Sequence, residues 1–199
     1  MRMSKHFATG AALIAAAAMA LTACGGGAAS TTGAITAGVA YETTDYGPIT
    51  TSALAMGSNW QVLEGLYRFN MAHYSVSPAL AAGDPVKVSD TEYEITLRDG
   101  AKFSDGTDVT ASDFVSSYER ATGEKSIYRQ FFTFVDSVSA KDDKTVTITL
   151  KHPFAALKDR LVNVRVVPSS MDDEALKAKP VGTGPYKYVN ITATEITAV

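Results

Sequence analysis

Few residues of this 199-residue chain belong to the types that perform catalysis or bind metals. The only imidazoles are those of His6, His73 and His152, and the only thiol is that of Cys24. Neither the H-E-x-x-H pattern of zinc hydrolases nor the G-x-S-x-G pattern of serine hydrolases occurs. A lone cysteine also excludes an internal disulfide and a multi-cysteine metal site. We therefore expect a protein that is not an enzyme and that uses no metal and no cofactor.

The charge balance argues against a nucleic-acid partner. The chain has 18 Lys+Arg and 21 Asp+Glu, which gives a net charge of -3. Its basic residues form no block, whereas binding to phosphates needs clustered Lys and Arg. The hydrophobic fraction of 46% is that of a globular protein rather than of a disordered one.

Cys24 follows a segment organised as a signal peptide. Arg2 and Lys5 give a positive start, and an Ala-rich apolar run over residues 7–21 follows. That run is shorter than the about 20 apolar residues of a membrane span. The sequence Leu-Thr-Ala-Cys ending at Cys24 resembles the lipobox of bacterial lipoproteins, in which the cysteine is acylated and becomes the new N-terminus. The alternative is an ordinary cleavage site followed by an incidental cysteine.

The anchored arrangement has consequences for location and reach. We expect residues 1–23 to be a lipoprotein signal peptide and Cys24 to carry lipid, which places the protein on the outer face of the cell membrane. Residues 24–34 are Gly-, Ala-, Ser- and Thr-rich and have nothing to bury. They are typical of a flexible tether.

Beyond residue 34, strand and helix patterns mix, which predicts an α/β or α+β fold. Apolar residues at a spacing of three and four predict a helix that has Met56, Trp60, Leu63 and Tyr67 on one face. Thr110 and Asp113 have the spacing of a capping pair at the start of a second helix. Phe154, Leu157 and Leu161 indicate a third. Strands are expected at 35–41, 93–98, 134–140, 145–150 and 164–167, with one or two more over 186–197.

Two glycine-containing stretches have structural and functional interpretations. Asp99-Gly100 and Asp105-Gly106 predict turns, because glycine adopts positive φ at no steric cost. The run Gly-Thr-Gly-Pro at 182–185 could suggest a phosphate cradle, but no Lys-Ser/Thr pair follows it, so we expect a tight turn. Glu64 is either a buried functional acid or a partnered structural carboxylate.

The run YEITLRDGAKFSDGTDVTASDF at 93–114 resembles the signature of the extracellular solute-binding protein family 5, the dipeptide-, oligopeptide- and nickel-binding proteins of ABC importers. Three further stretches match that family in the right order. These are Glu-Gly-Leu at 64–66 on the predicted first helix, Ser-Pro-Ala-Leu-Ala at 77–81 and Pro-Val-Gly-Thr-Gly-Pro-Tyr at 180–186. The resemblance extends from residue 35 to the end.

The resemblance implies a periplasmic-binding-protein fold of the type II clam-shell class, which closes on a solute and delivers it to a permease. Chains of the family are much longer, so we expect an N-terminal fragment that contains only part of lobe one. Residues 35–63 and 181–199 would form part of the lobe-one sheet and 64–180 an inserted subdomain, with the second lobe absent. The expected function is capture of short peptides by a monomer. The alternatives are a nickel- or other-solute-binding member, or a truncated lipoprotein that binds nothing.

The resemblance also implies which residues contact ligand. A loop before the first helix meets the solute in the family, an aromatic residue after the Asp113 helix reaches the cleft, and a nickel-chelate-binding relative uses an arginine on its anionic ligand. Exposed backbone groups of such a loop can pair with any extended peptide. The matching positions here are Tyr46, Thr51, Ser52, Ala53, Leu54, Tyr128 and Arg165.

Overall fold

The computed structural model describes residues 45–49, 61–192 and 195–199. The predicted signal peptide, tether and first strand, Cys24 and residues 51–54 lie outside this range, as do Met56 and Trp60. Within the described ranges, no helix has both the length and the apolar character needed to cross a membrane.

The described elements include both short strands and helices, so the mixed class expected from the sequence is confirmed. The strands are β1 Tyr67–Asn70, β2 Ser75–Pro78, β3 Val86–Lys87, β4 Glu92–Thr96, β5 Val135–Ala140, β6 Thr145–Leu150, β7 Tyr188–Ile191 and β8 Ile196–Ala198. The helices are α1 Ala111–Thr122, α2 Leu157–Leu161 and α3 Asp173–Ala178, with a 3-10 turn at Arg129–Phe132.

An antiparallel sheet in the order β3-β4-β6-β5 forms the centre of the fold. Its register pairs Ile95 with Val146 and Tyr93 with Ile148. Burial alternates along strand β6: Val146, Ile148 and Leu150 are buried, and its threonines are partly exposed. Helix α1 contacts β5 and β6. The predicted hairpin of β5 and β6 and the predicted strand at β4 are confirmed.

Helix α1 starts where its capping pair predicts. The N–H and the hydroxyl of Thr110 both donate to Oδ2 of Asp113, at 2.9 and 2.8 Å. These contacts satisfy a backbone donor that the first turn leaves without a helical partner. Both Asp-Gly turns are also confirmed, since Gly100 has φ +66 and Gly106 φ +94.

The first predicted helix ends earlier than its apolar spacing suggests. Gln61 and Val62 are helical, but Leu63 is not, and Tyr67 starts β1. The Glu-Gly-Leu stretch at 64–66 therefore follows the helix instead of lying on it. The backbone turns away here to pack closely, because a Cβ on Gly65 would lie 2.5 Å from the Val164 carbonyl oxygen. Leu63 and Tyr67 are buried although neither is helical, so apolar residues four positions apart do not by themselves identify a helix here.

The predicted strand at 164–167 is wrong, although its side chains are as buried as those of a strand. Val164, Val166 and Val167 are fully buried, yet the segment pairs with no strand among the described residues. Instead, Val166 N–H donates to the Glu64 carbonyl at 2.8 Å and Val167 N–H to Oγ of Ser117 at 3.1 Å. Apolar composition identified its burial but not its partners.

Two hairpins form separate two-stranded sheets. The β7–β8 hairpin confirms the strands predicted over 186–197. The β1–β2 hairpin was not predicted, because its turn contains no glycine and Tyr74 instead adopts φ +48. Helix α3 was also missed, although Asp172 caps it by accepting from Ala175 N–H at 2.8 Å.

Buried side chains form two clusters. The larger includes residues from Leu66 to Val166 and contains Phe114 and the inner face of the central sheet. The smaller consists of Tyr46, Val62, Leu63, Val167, Leu176 and Tyr188. The boundaries at 63/64 and 180/181 between sheet and inserted subdomain stay a prediction.

Candidate functional site

The sequence segments that carry the family resemblance meet at Glu64. Its Oε2 accepts from the Thr183 hydroxyl at 3.2 Å and lies 3.7 Å from Nη2 of Arg98. Arg98 also donates through Nε to the Ala79 carbonyl at 3.1 Å. The carboxylate of Glu64 is thus a partnered structural group, which connects three of the four matched segments to one another.

Gly182 and Gly184 let the last matched segment contact the helix end at Gln61 and Val62. Gly184 N–H donates to the Val62 carbonyl at 2.9 Å. A Cβ at Gly182 would lie 2.0 Å from that same oxygen, and one at Gly184 would lie 2.4 Å from the Gln61 oxygen. The glycines therefore permit close backbone packing and satisfy helix-terminal carbonyls. This is a structural role, and it explains the motif without a phosphate.

Arg165 and Tyr128, which the sequence analysis proposed separately, share one electrostatic neighbourhood. Arg165 is partly buried, and the loss of hydration lowers the pKa of its guanidinium. The nearby Tyr128 and Glu64 act in the opposite direction and favour the charged form. A partly dehydrated guanidinium beside a phenol is suited to binding a carboxylate or another planar anion.

Helix α1 holds the segment that presents Arg165. Ser117 accepts from Val167 N–H at 3.1 Å and donates to the Val167 carbonyl at 3.4 Å. One turn earlier, Oδ1 of Asp113 accepts from Ser169 N–H at 2.8 Å. Both side chains are buried, so water does not compete for these bonds. Sequence reasoning missed this role, although the four-residue spacing of Asp113 and Ser117 placed them on one helix face.

Tyr128 immediately precedes the 3-10 turn at Arg129–Phe132. Its N–H donates to Oγ of Ser126 at 3.1 Å, and its ring centroid lies 6.3 Å from that of Phe131. The side chain is partly buried, so part of it is open to a ligand.

Tyr46 occupies a different environment. It is 2% exposed, and its ring makes an edge contact with Tyr188 at a centroid distance of 5.8 Å. Its N–H donates to the Lys177 carbonyl at 2.8 Å, and burial raises the pKa of its phenol. Ligand contact by Tyr46 stays a prediction. Thr51, Ser52, Ala53 and Leu54, the other members of that proposed wall, lie outside the described residues.

In the described part of the chain, no three His, Cys, Asp or Glu side chains form a group that could hold a metal ion. Around Arg165, the described side chains offer hydrogen bonds and charge to a ligand.

The chain is similar in sequence to known families and proteins. The family model for bacterial extracellular solute-binding proteins, family 5 Middle, matches residues 75–199. The glutathione-binding protein GsiB of Pectobacterium atrosepticum is 29% identical over 143 residues, which are 68% of this chain and 28% of that protein.

Two solved structures share the fold. The periplasmic binding protein AgaA from A. tumefaciens R10, in complex with agropinic acid, has a TM-score of 0.71 and 29% identity over 79% of this chain and 33% of its own. The pheromone receptor PrgZ, described with its mode of peptide binding, has a TM-score of 0.69 and 27% identity over 80% of this chain and 36% of its own.

This chain spans about a quarter of the length of GsiB, at 28%, and about a third of the two solved chains, at 33% and 36%. The described architecture is part of a type II periplasmic binding protein, as the sequence resemblance implied. Because the family model covers more than half of its residues, the chain belongs to the bacterial extracellular solute-binding proteins of family 5.

Proposed function

We propose that this chain belongs to the substrate-binding component of an ABC importer, which captures short peptides outside the cell membrane and delivers them to the permease. The observation that carries the proposal is the partly buried guanidinium of Arg165 beside Tyr128, on a segment held by α1. Membership of family 5 and the likeness to PrgZ, which binds peptide, support the choice of ligand.

The chemistry of a peptide fits this group. Each unmodified peptide ends in a carboxylate, and a guanidinium can offer that group two parallel hydrogen bonds. Partial burial of Arg165 strengthens the attraction, since less water screens the charge. The phenol of Tyr128 adds a flat surface and a hydroxyl next to it.

Calorimetric titration of the natural gene product tests the proposal. Peptides of two to five residues are titrated with a free and with an amidated C-terminus. Arg165→Gln should weaken binding of the free-acid peptides about tenfold or more, as expected for a charge-assisted hydrogen bond of about 1.5–3 kcal/mol. The same substitution should reduce the affinity for the amidated peptides much less.

Arg68→Gln is the matched control, because Arg68 is an exposed arginine in β1. It should leave both titrations unchanged. Equal affinity of the wild type and Arg165→Gln for free-acid peptides would show that Arg165 does not bind the ligand, and absence of peptide binding by the wild type would refute the peptide proposal.

An anionic solute other than a peptide is the second candidate. AgaA was solved with agropinic acid, and the same guanidinium could bind a carboxylate of such a compound or of a nickel chelate. Titration with the nickel–histidine complex and with opine-type acids separates these ligands from peptides. Tight binding of one of them without any peptide binding would assign the protein to that group.

The proposal includes a location and an assembly state. Lipid on Cys24 would keep the protein at the outer face of the membrane, where a monomer meets the permease. The role has no chemical step, so we expect bound peptides to be recovered intact.

A further inference from the structure

Two adjoining depressions lie beside the 3-10 turn that follows Tyr128. One, of about 260 Å³, is lined by Phe131, Phe134, His152, Phe154 and Arg160, among others. The other, of about 480 Å³, includes Arg129. Both are also lined by Gln130 and Thr133, so they form one continuous surface, the Arg129–Arg160 depression. Neither Tyr128 nor Arg165 lines it.

The cations of this depression have no acidic partner. Among the described residues, the guanidinium groups of Arg129 and Arg160 form no hydrogen bond and no ion pair. By contrast, Arg98 and Arg120 are paired with Glu64 and Asp173. In the part of the chain that the structure describes, no carboxylate lines the depression, although the chain as a whole is acidic. A local excess of positive charge on an acidic protein favours an anionic ligand.

The floor of the depression is aromatic. Phe134 and Phe154 stack with a centroid distance of 3.9 Å and an interplanar angle of 26°. The guanidinium carbon of Arg160 lies 5.6 Å from the centroid of the Phe131 ring. A guanidinium that lies over an aromatic ring has less conformational freedom. The N–H groups at its edge are not used by the contact with the ring and can donate to a ligand. Flat apolar surface therefore lies next to donors that have no partner.

We propose that the Arg129–Arg160 depression binds an aromatic carboxylate, with the ring on the phenylalanine floor and the carboxylate at Arg160 and Arg129. His152 and Gln130 add further polar groups at the rim. The same chemistry occurs in a small aromatic acid and in a peptide that ends in an aromatic residue. Arg165 and Tyr128 are not among the residues that line this site, and the proposal does not depend on the proposed peptide transport.

Titration monitored by NMR of the natural gene product tests the site. N-acetylphenylalanine is compared with N-acetylphenylalaninamide, which has the same ring and no carboxylate. We expect saturable shift changes at residues of the depression with the acid. The amide should bind about fivefold more weakly, as expected when an exposed charged contact is lost. Added salt should weaken binding of the acid and leave binding of the amide unchanged.

Matched variants locate the effect. Arg160→Gln and Arg129→Gln should each weaken binding of the acid about fivefold, while Arg68→Gln should leave its affinity unchanged. Affinities are read from the shift changes at the residues that line the depression. Tighter binding there of Ala-Ala-Phe than of the small acid would identify a peptide terminus as the ligand, and equal binding would identify a free acid; both support the site. Equal binding of acid and amide, or an affinity that neither arginine substitution changes, overturns the proposal.

Discussion

Gly182 shows how one missing side chain determines a contact between distant segments. Its Cα faces the end of the first helix so closely that a Cβ would lie 2.0 Å from the Val62 oxygen and 2.6 Å from Cδ2 of Leu63. The oxygen belongs to the backbone and cannot rotate away, so the two segments would have to separate.

We therefore expect Gly182→Ala to lower the free energy of unfolding by about 1–3 kcal/mol, the usual cost of overpacking. Thermal unfolding followed by circular dichroism should show a decrease in Tm of several degrees. Gly83→Ala is the control, since nothing lies within 4 Å of a Cβ there and its Tm should not fall. Equal Tm values for the two variants would contradict the packing assigned to Gly182.

Tyr118 predicts a dependence of stability on alkaline pH. Burial raises the pKa of its phenol from 10.0 to about 12. The unfolded chain ionises first, so the stabilisation is present below pH 10 and is lost as the pH rises towards 12. Tyr118→Phe should therefore reduce the fall in Tm across that interval. Tyr74→Phe, at a residue that is 84% exposed, should leave the fall as it is in the wild type.

At the scale of elements, α1 links the central sheet to the segment that presents Arg165. The capping pair lies at its N-terminal end. On its buried face, Ser117 accepts from the backbone N–H of Val167 and Asp113 from that of Ser169. The segment thus has fixed geometry without belonging to a sheet.

Ser117→Ala should destabilise the protein by about 1–3 kcal/mol, because two buried backbone groups of Val167 lose their partner. Chemical denaturation measures the change. Ser112→Ala, at an exposed position of the same helix, should change the free energy of unfolding by less than about 0.5 kcal/mol. A Ser117 variant as stable as the Ser112 variant would show that the Val167 contacts contribute nothing.

Elements with local signals could be predicted from the sequence. The Thr110–Asp113 pair, the alternation in β6 and the Asp-Gly turns each depend on residues close together in the chain. The structure of 63–67 and 164–167 could not be predicted, because it depends on contacts between segments about a hundred residues apart, such as Val166 with Glu64. The resemblance to the family implied Tyr128 and Arg165 as two separate ligand contacts and did not predict that they share one neighbourhood. The partnership of Ser117 with Val167 had no local signal.

At the scale of the whole molecule, the proposed lipid anchor predicts where the protein is found. Cys24→Ser should move the protein from the detergent phase to the aqueous phase in a phase-partition assay, since acyl chains supply roughly 0.8 kcal/mol per buried CH₂. Ser30→Ala, in the proposed tether, is the control and should stay in the detergent phase. A wild-type protein that is already in the aqueous phase would contradict lipidation.

The contact of Thr183 with Glu64 joins residues 119 positions apart in the sequence. Closing so long a loop costs entropy before any contact is gained. The seam, by which we mean the contact of residues 182–184 with residues 61–64, should therefore form late on the folding pathway. Substitutions at the seam would then act mainly on the unfolding rate and hardly on the refolding rate. In stopped-flow experiments, Gly182→Ala should accelerate unfolding with little change in refolding. During synthesis, Glu64 and the helix end at Val62 would remain without these partners until residues 183 and 184 have been added.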